Sequence, residues 1–271
     1  MTGFQLADQF GQLLKRLFKG EVVDILWCLT GFAHVPLLLK EPSIVGYSIS
    51  WSMHGRADSV SGMTQHQTLE VIRHERQAYP DSVAEQEKLV AELLSGARGN
   101  TLVFTEHPPV YTLGTSGSDA DVLARQIDGE RIEVFPTGRG GEVTYHGPGQ
   151  LVCYLIVDIS REQDLHKHVW RLEEMVIRTL AEFGVEAGRN KRGIGVWVGD
   201  KKIAAVGVRC RKWVTYHGIA LNIHPNMKHF DGIVTCGMSD RPVISLAELG
   251  VDASRSEVEA IISQMAGKLF I

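Results

Sequence analysis

The sequence predicts an α+β (mixed α/β) fold built on a mixed β-sheet, and three observations predict it. Runs of strand character and runs of helix character are interspersed from about residue 69 onward, without strict β-α-β alternation. That pattern favours a mixed sheet over a doubly wound dinucleotide domain. Residues 151–159 are almost unbroken apolar sequence, as expected of a strand central in its sheet. Leu165, Val169, Leu172, Val176, Leu180 and Phe183 then recur at steps of 4, 3, 4, 4 and 3 before Gly184, which is the apolar stripe and stop signal of a helix.

Residues 1–65 read differently from the rest and are expected to be a poorly ordered extension and linker, with the compact domain over 66–271. Phe4, Leu6, Phe10, Leu13, Leu14 and Leu17 have near-helical spacing. Residues 22–39 are largely apolar but are interrupted by Asp24, His34 and Pro36 and are at the short limit for a membrane span. Acidic Asp8, Glu21 and Asp24 argue against a transit peptide, and no small-residue cleavage site of the secretory type follows. Residues 43–64 are rich in serine and glycine and carry Met53 and Met63, either of which would serve as an alternative start.

Beyond the linker, residues 69–74 alternate as a strand. Pro80 fits a first helical position, and Val83, Leu89, Val90, Leu93 and Leu94 predict a helix ending before Gly96. Residues 101–106 are rich in β-formers, His107-Pro108-Pro109 ends that strand, and 110–114 and 132–135 are extended again. After the helix at 165–183, where His166 and His168 are expected to face solvent, strands at 193–198 and 202–209 meet across a Gly199-Asp200 hairpin turn. A further strand covers 214–223. A short helix follows at 245–249, and Ser254 with Glu257 predicts a capping box for a last helix with Val258, Ile261, Ile262 and Met265 on its apolar face.

Composition narrows the function classes. With 44% hydrophobic and 22% charged residues in 271, the chain has the balance of one large or two small globular domains. A net charge of −4 without a long basic run gives no footprint for nucleic acid. Cys28, Cys153, Cys210 and Cys236 include no CxxC pair. Neither a disulfide framework nor a zinc site is indicated, and a reducing compartment fits.

Residues 139–150, Arg-Gly-Gly-Glu-Val-Thr-Tyr-His-Gly-Pro-Gly-Gln, hold four glycines between two polar anchors, Arg139 and His146. Gly140 and Gly141 permit positive φ and close approach to a ligand, and Gly147-Pro148-Gly149 must turn. The stretch lacks the lysine-serine or lysine-threonine pair of a phosphate loop. A ligand-wrapping loop and a plain glycine-rich hairpin fit the pattern equally. Cys236 lies in loop-like sequence with Gly237 behind it, whose amide suits an oxyanion. A thiol of pKa roughly 8.5 becomes a nucleophile only beside a cation, and Lys201, Lys202, Arg209 and Arg139 are available. Inert packing is the plainer reading of any single cysteine, and it is the one adopted for Cys153.

Taken together, five blocks resemble the lipoyl(octanoyl) transferases, which move an octanoyl group from acyl carrier protein to a lysine of a lipoyl domain. The blocks are 139–150, 106–114 (Glu-His-Pro-Pro-Val-Tyr-Thr-Leu-Gly), 202–207 (Lys-Ile-Ala-Ala-Val-Gly), 217–222 (His-Gly-Ile-Ala-Leu-Asn) and 236–246 (Cys-Gly-Met-Ser-Asp-Arg-Pro-Val-Ile-Ser-Leu). They stand in the family's order, and residues 1–65 fall outside them. The resemblance implies Cys236 as acyl-thioester nucleophile and Lys202 as the residue that lowers its pKa and moves protons. It implies an acyl site at Arg139, Gly140, Gly141, Glu142, Val143, Thr144, Tyr145, His146, Ala205, Val206, Gly207, Gly218, Ile219 and Ala220. It further implies a helix-flanked mixed sheet like that of biotin and lipoate protein ligases, no cofactor or metal, and a monomer in the cytoplasm. The implied partners are octanoyl-acyl carrier protein, the lipoyl domains of 2-oxoacid dehydrogenase complexes and the glycine cleavage H protein. His146 fits either a second acid/base or a loop-fixing hydrogen bond. Two rivals stand beside this reading. An ATP-dependent lipoate or biotin ligase would need a nucleotide site and no Cys236, and a non-catalytic acyl-binding module would have no use for Cys236 and Lys202 together.

Overall fold

A computed structural model describes residues 69–234 and 243–271. The expected extension over 1–65, with Cys28, lies outside the described residues, and so does Cys236. The elements are β1 (Glu70–Arg73), α1 (Tyr79–Leu94), β2 (Thr101–Thr105), β3 (Val110–Leu113), β4 (Gln126–Ile127), β5 (Glu130–Arg131), β6 (Glu133–Pro136), β7 (Val143–His146), β8 (Gln150–Asp158), α2 (Leu165–Glu182), β9 (Gly188–Asn190), β10 (Gly193–Val198), β11 (Lys201–Arg211), β12 (Val214–Asn222) and α3 (Arg255–Phe270). Seven strands form the main sheet in the order β1-β2-β8-β12-β11-β10-β9, and β6-β3-β7 form a smaller one. The β1–β2 and β3–β6 pairs are parallel, whereas β8 is antiparallel to both its neighbours. The expected mixed sheet with helices on it is therefore present.

Strand β8 is apolar from Leu151 to Val157 because both its faces are covered. Leu151, Cys153, Leu155 and Val157 join the core formed with Leu172, Met175, Val176 and Leu180 of α2 and Val258, Ile262 and Met265 of α3. Val152, Tyr154 and Ile156 point the other way, against Leu89 and Val90 of α1. A strand with two buried faces has no polar alternation to show, and each fully buried Leu or Ile stabilises by about 2 kcal/mol. The smaller sheet has its own core of Tyr111, Ile132, Val143, Tyr145, Phe230 and Ile233.

Local signals start the helices, those of α1 and α3 as read and that of α2 at a residue the sequence reading did not name. Pro80 lies in the first turn of α1, Asp164 accepts from the Lys167 amide at 2.9 Å to cap α2, and Ser254 and Glu257 form the expected capping box of α3. The Gly199-Asp200 hairpin is also present, with Val198 paired to Lys201. Three features differ from expectation. His168 is buried, not solvent-facing: α3 packs beside α2 and sets Phe270 edge-on to the His168 ring at 5.5 Å. Strands β11 and β12 run on to a tight turn at Lys212-Trp213, both at positive φ (50° and 64°), where no glycine or asparagine announced it. The helix expected at 245–249 is a single 3-10 turn, Ala247–Leu249. Among the described residues no helix is long and apolar enough to cross a membrane.

Candidate acyl-transfer site

The loop between β6 and β7 lies on β11. The Gly140 amide donates to the Val208 carbonyl at 3.0 Å, and Gly141 turns the chain at φ 89°. Gly140 itself does not take positive φ. The loop sits so close to the sheet that a Cβ on Gly207 would stand 3.0 Å from Arg139 Cδ and 3.3 Å from the Gly140 oxygen. Beneath it, the two short stretches expected at the site prove to be register partners: Ala205 pairs with Ala220, Val206 with Ile219 and Gly207 with Gly218. Alternation along the strands then separates them. Ala220 belongs to the face covered by α1, and Ala205, Gly207 and Gly218 share that face by register, giving a low floor with almost no side-chain relief. Val206 and Ile219 turn to the opposite core. In β7, Val143 and Tyr145 likewise serve the small sheet's core, leaving Thr144 and His146 on its other side.

Above the floor, Arg139 is only 9% exposed. Its Nη2 donates to the Thr112 carbonyl at 2.6 Å and to Thr112 Oγ1 at 2.8 Å, and its Nη1 donates to the Gly140 carbonyl at 3.1 Å. His146 Nε2 lies 3.2 Å from the same Thr112 hydroxyl, and its Nδ1 lies 2.7 Å from Gln150 Oε1. His107 bonds the Gln77 carbonyl and the Tyr154 hydroxyl, each at 2.7 Å, and stands edge-on to His146 at 5.8 Å. Burial holds His107, His146 and His217 in the neutral form. It brings His107 down to about 4 from the ordinary 6.5 and His217 to about 3, with Arg139 adding to the effect. It holds His146 well below 6.5, helped by His107 and Arg139. The site is thus an uncharged aromatic enclosure around the cationic Arg139 guanidinium, over a floor of glycine and alanine.

Comparison with known proteins decides the family, since residues 78–267 match the family model of the lipoyl protein ligase A/B catalytic domain. The chain belongs to the lipoyl protein ligase A/B family. Its relatives include an octanoyltransferase of Nitrobacter hamburgensis, 44% identical over 203 residues that cover 71% of this chain and 82% of the relative. Another, from Magnetococcus marinus, is 45% identical over 198 residues, covering 73% and 91%. Among solved structures, lipoate-protein ligase A bound with ATP superposes with a TM-score of 0.60 at 18% identity, covering 74% of this chain and 84% of that one. A bi-partite lipoate protein ligase from Thermoplasma acidophilum gives 0.59 at 18%, covering 75% and 84%. The family's fold is therefore the fold seen here.

Within this family member, Lys202 sits on β11 three residues before Ala205. Its aliphatic stem lies beside Gly195, where a Cβ would meet Lys202 Cε at 3.1 Å, and its ammonium is 4.9 Å from the Trp197 ring centre. Its main chain bridges to Val243, and its carbonyl accepts from the Ile244 amide at 3.0 Å. Val243 is the first described residue after the segment that contains Cys236. Burial pushes the Cys153 thiol well above its ordinary value and also raises Cys210, so neither is poised as a thiolate at neutral pH. Among the described residues no group of His, Cys, Asp and Glu is arranged to hold a metal ion. Sequence reading singled out neither Thr112 nor Asn222, and Gln150 was only the end of a quoted motif. The signal that marks two of them is a polar residue at the margin of an otherwise apolar strand, Gln150 opening β8 and Asn222 closing β12 as register partners.

Proposed function

We propose that this protein is an octanoyltransferase that carries an octanoyl group from acyl carrier protein to the acceptor lysine of a lipoyl domain, through a thioester on Cys236. The observation that most supports the reading is the 44% identity to an octanoyltransferase over 203 residues, beside a family match over residues 78–267 that takes in the small-residue floor and the Arg139 loop. In the first half-reaction the Cys236 thiolate attacks the thioester carbonyl of the carrier. The carbonyl–sulfur bond to the carrier breaks, and the carrier leaves as its thiolate and takes up a proton from the Lys202 ammonium, which is left as the neutral amine. The octanoyl chain lies on Ala205, Gly207, Gly218 and Ala220 under Gly140 and Gly141. In the second half-reaction the neutral amine of the lipoyl-domain lysine attacks octanoyl-Cys236, an amide bond forms and the Cys236 thiolate is released. Lys202 accepts the proton that the amine sheds. A thioester is already activated, so this sequence consumes no ATP. Residues 66–271 constitute the catalytic domain, and acceptors of this class include the lipoyl domains of 2-oxoacid dehydrogenase complexes and the glycine cleavage H protein.

The test is intact mass of the full chain after mixing with octanoyl-acyl carrier protein, before and after a lipoyl domain is added. One octanoyl increment is expected on the wild type. It should move to the lipoyl domain in the second step, and Cys236→Ser should show no increment. An increment on Cys28, Cys153 or Cys210, or lipoyl-domain modification only with free octanoate and ATP, would refute the mechanism.

A further inference from the structure

The polar groups between Arg139 and Ile244 form one chain whose every hydrogen has a determined position. Asn222 places one amide atom 3.0 Å from the Ile244 carbonyl. A backbone carbonyl only accepts, so that atom is the NH2, and Asn222 Oδ1 is left as an acceptor. Gln150 places one amide atom 3.1 Å from the Tyr145 carbonyl and 2.9 Å from Asn222 Oδ1. That atom is again the NH2, and Gln150 Oε1 must accept from whatever faces it. His146 Nδ1 faces it at 2.7 Å and is therefore the protonated nitrogen. The ring is buried at 7% exposure beside the Arg139 guanidinium and is neutral, so Nε2 carries a lone pair. The Thr112 hydroxyl donates to that lone pair at 3.2 Å, and its oxygen accepts from Arg139 Nη2 at 2.8 Å. The donors all point one way, from Arg139 through Thr112, His146, Gln150 and Asn222 to the Ile244 carbonyl. Ile244 in turn donates its own amide to the Lys202 carbonyl at 3.0 Å.

We propose that Thr112, Gln150 and Asn222 are positioning residues, forming a one-way hydrogen-bond relay that fixes His146 as its Nδ1–H tautomer and ties the Arg139 loop to the Ile244–Lys202 junction. The relay itself stands on the geometry alone. Its consequence for octanoyl binding rests on the function proposed above. Both ends of the relay are informative. One end is the guanidinium whose stem covers Gly207, and the other is the backbone where the chain returns from the Cys236 segment to pair with Lys202. The relay therefore holds the loop above the acyl floor in register with the strand that bears Lys202. It also assigns His146. With Nε2 occupied by Thr112 and Nδ1 by Gln150, the ring has no free nitrogen for the reacting atoms and serves as a link in the relay, not as an acid or base.

Two measurements on the full-length protein test this. In the first, long-range proton–nitrogen correlation spectra are recorded with labelled histidine, and His146 is assigned among the eleven histidines through His146→Gln. The expected pattern is protonated Nδ1 and bare Nε2, unchanged from pH ~5.5 to ~8.5. An Nε2–H pattern, or titration within that range, would overturn the relay. In the second, steady-state octanoyl transfer is compared for Thr112→Val and Thr112→Ser. The valine variant breaks one link at constant volume, so KM for the octanoyl donor should rise about tenfold, the worth of one hydrogen bond to a buried charged network. Its kcat should stay within about twofold, and serine should recover most of the loss. Thr112→Val kinetics equal to wild type, or a fall in kcat alone, would overturn the positioning role. Should the valine variant not fold, the spectra decide the relay. Should the wild type transfer no octanoyl group, the proposed function falls, while the spectra still decide the relay.

Discussion

Replacing His168 by leucine should both stabilise the protein and weaken the dependence of its stability on pH. The ring lies in the α2–α3 core at 1% exposure, and neither of its nitrogens has a hydrogen-bond partner. Burial holds it at about 4, below the ordinary 6.5, and Arg171 acts in the same direction. The folded pKa is depressed, so as pH falls below 6.5 the unfolded chain takes up a proton that the folded chain refuses. Stability is therefore full above pH ~6.5, falls through the interval down to ~4 and levels off below it. At 1.36 kcal/mol per pH unit, the loss from this one ring between pH 7 and 5 is about 2 kcal/mol. His107 and His217, held at about 4 and about 3, act in the same sense. The wild type should thus lose several kcal/mol over that interval, a large part of ordinary domain stability. His168→Leu should cut the pH 7 to pH 5 difference by about 2 kcal/mol and add about 1 kcal/mol at pH 7 by removing unpartnered polar atoms. Urea unfolding at pH 7, 6 and 5, with m unchanged, measures both. A variant whose pH dependence overlays the wild type would show that His168 is not held neutral in the fold. Octanoyl transfer should be untouched.

Other expectations follow from the site. Lys202→Ala should slow iodoacetamide alkylation of Cys236 at neutral pH and let it recover as pH rises toward roughly 8.5, with transfer falling further than alkylation. Lys202→Arg should restore alkylation but little transfer, and an alkylation profile for Lys202→Ala equal to wild type removes Lys202 from the mechanism. Gly207→Ala should raise KM at nearly unchanged Tm, since its Cβ meets the Arg139 stem at 3.0 Å and the Gly140 oxygen at 3.3 Å, contacts that a small shift of the loop relieves. Gly218→Ala would put a Cβ 2.3 Å from the Cys153 carbonyl oxygen and should lower Tm sharply, so a reversed pattern in thermal melts and kinetics would contradict the floor. Removal of residues 1–62 should leave turnover intact, and a folded but inactive product would place the extension within the site or its docking surface.

The sequence showed the frame of the fold more clearly than its second sheet. The periodicity of α2 and the unbroken run of β8 were legible because each is dictated by burial along a single element. Position 168 was misjudged because α3, which covers it, comes from nearly a hundred residues downstream, and no local pattern announces that contact. The hairpin at Gly199-Asp200 was legible from its turn residues, whereas Lys212-Trp213 turns the chain without them, held by the pairing of β11 with β12. At the site, the resemblance pointed to stretches, and the strand register then divided them: Ala205, Gly207, Gly218 and Ala220 share one face, and Val206 and Ile219 support the other. Gln150 and Asn222 each show locally as a polar residue at the margin of an apolar strand, and their meaning lies in their pairing across the sheet.

Strand β8 also bears on how the chain acquires its structure. Its partner β2 is synthesised before it, but β12, which covers the other edge, begins only at Val214. Until that strand emerges from the ribosome, residues 151–157 present an apolar row of unpaired amides and carbonyls, the kind of edge that recruits other chains. The α2 helix, made directly afterwards, can shield one face of that row but not its open backbone. The interval between Asp158 and Val214 is therefore where nascent chains of this protein are most exposed to misassembly, and where a holding chaperone would have the most to protect.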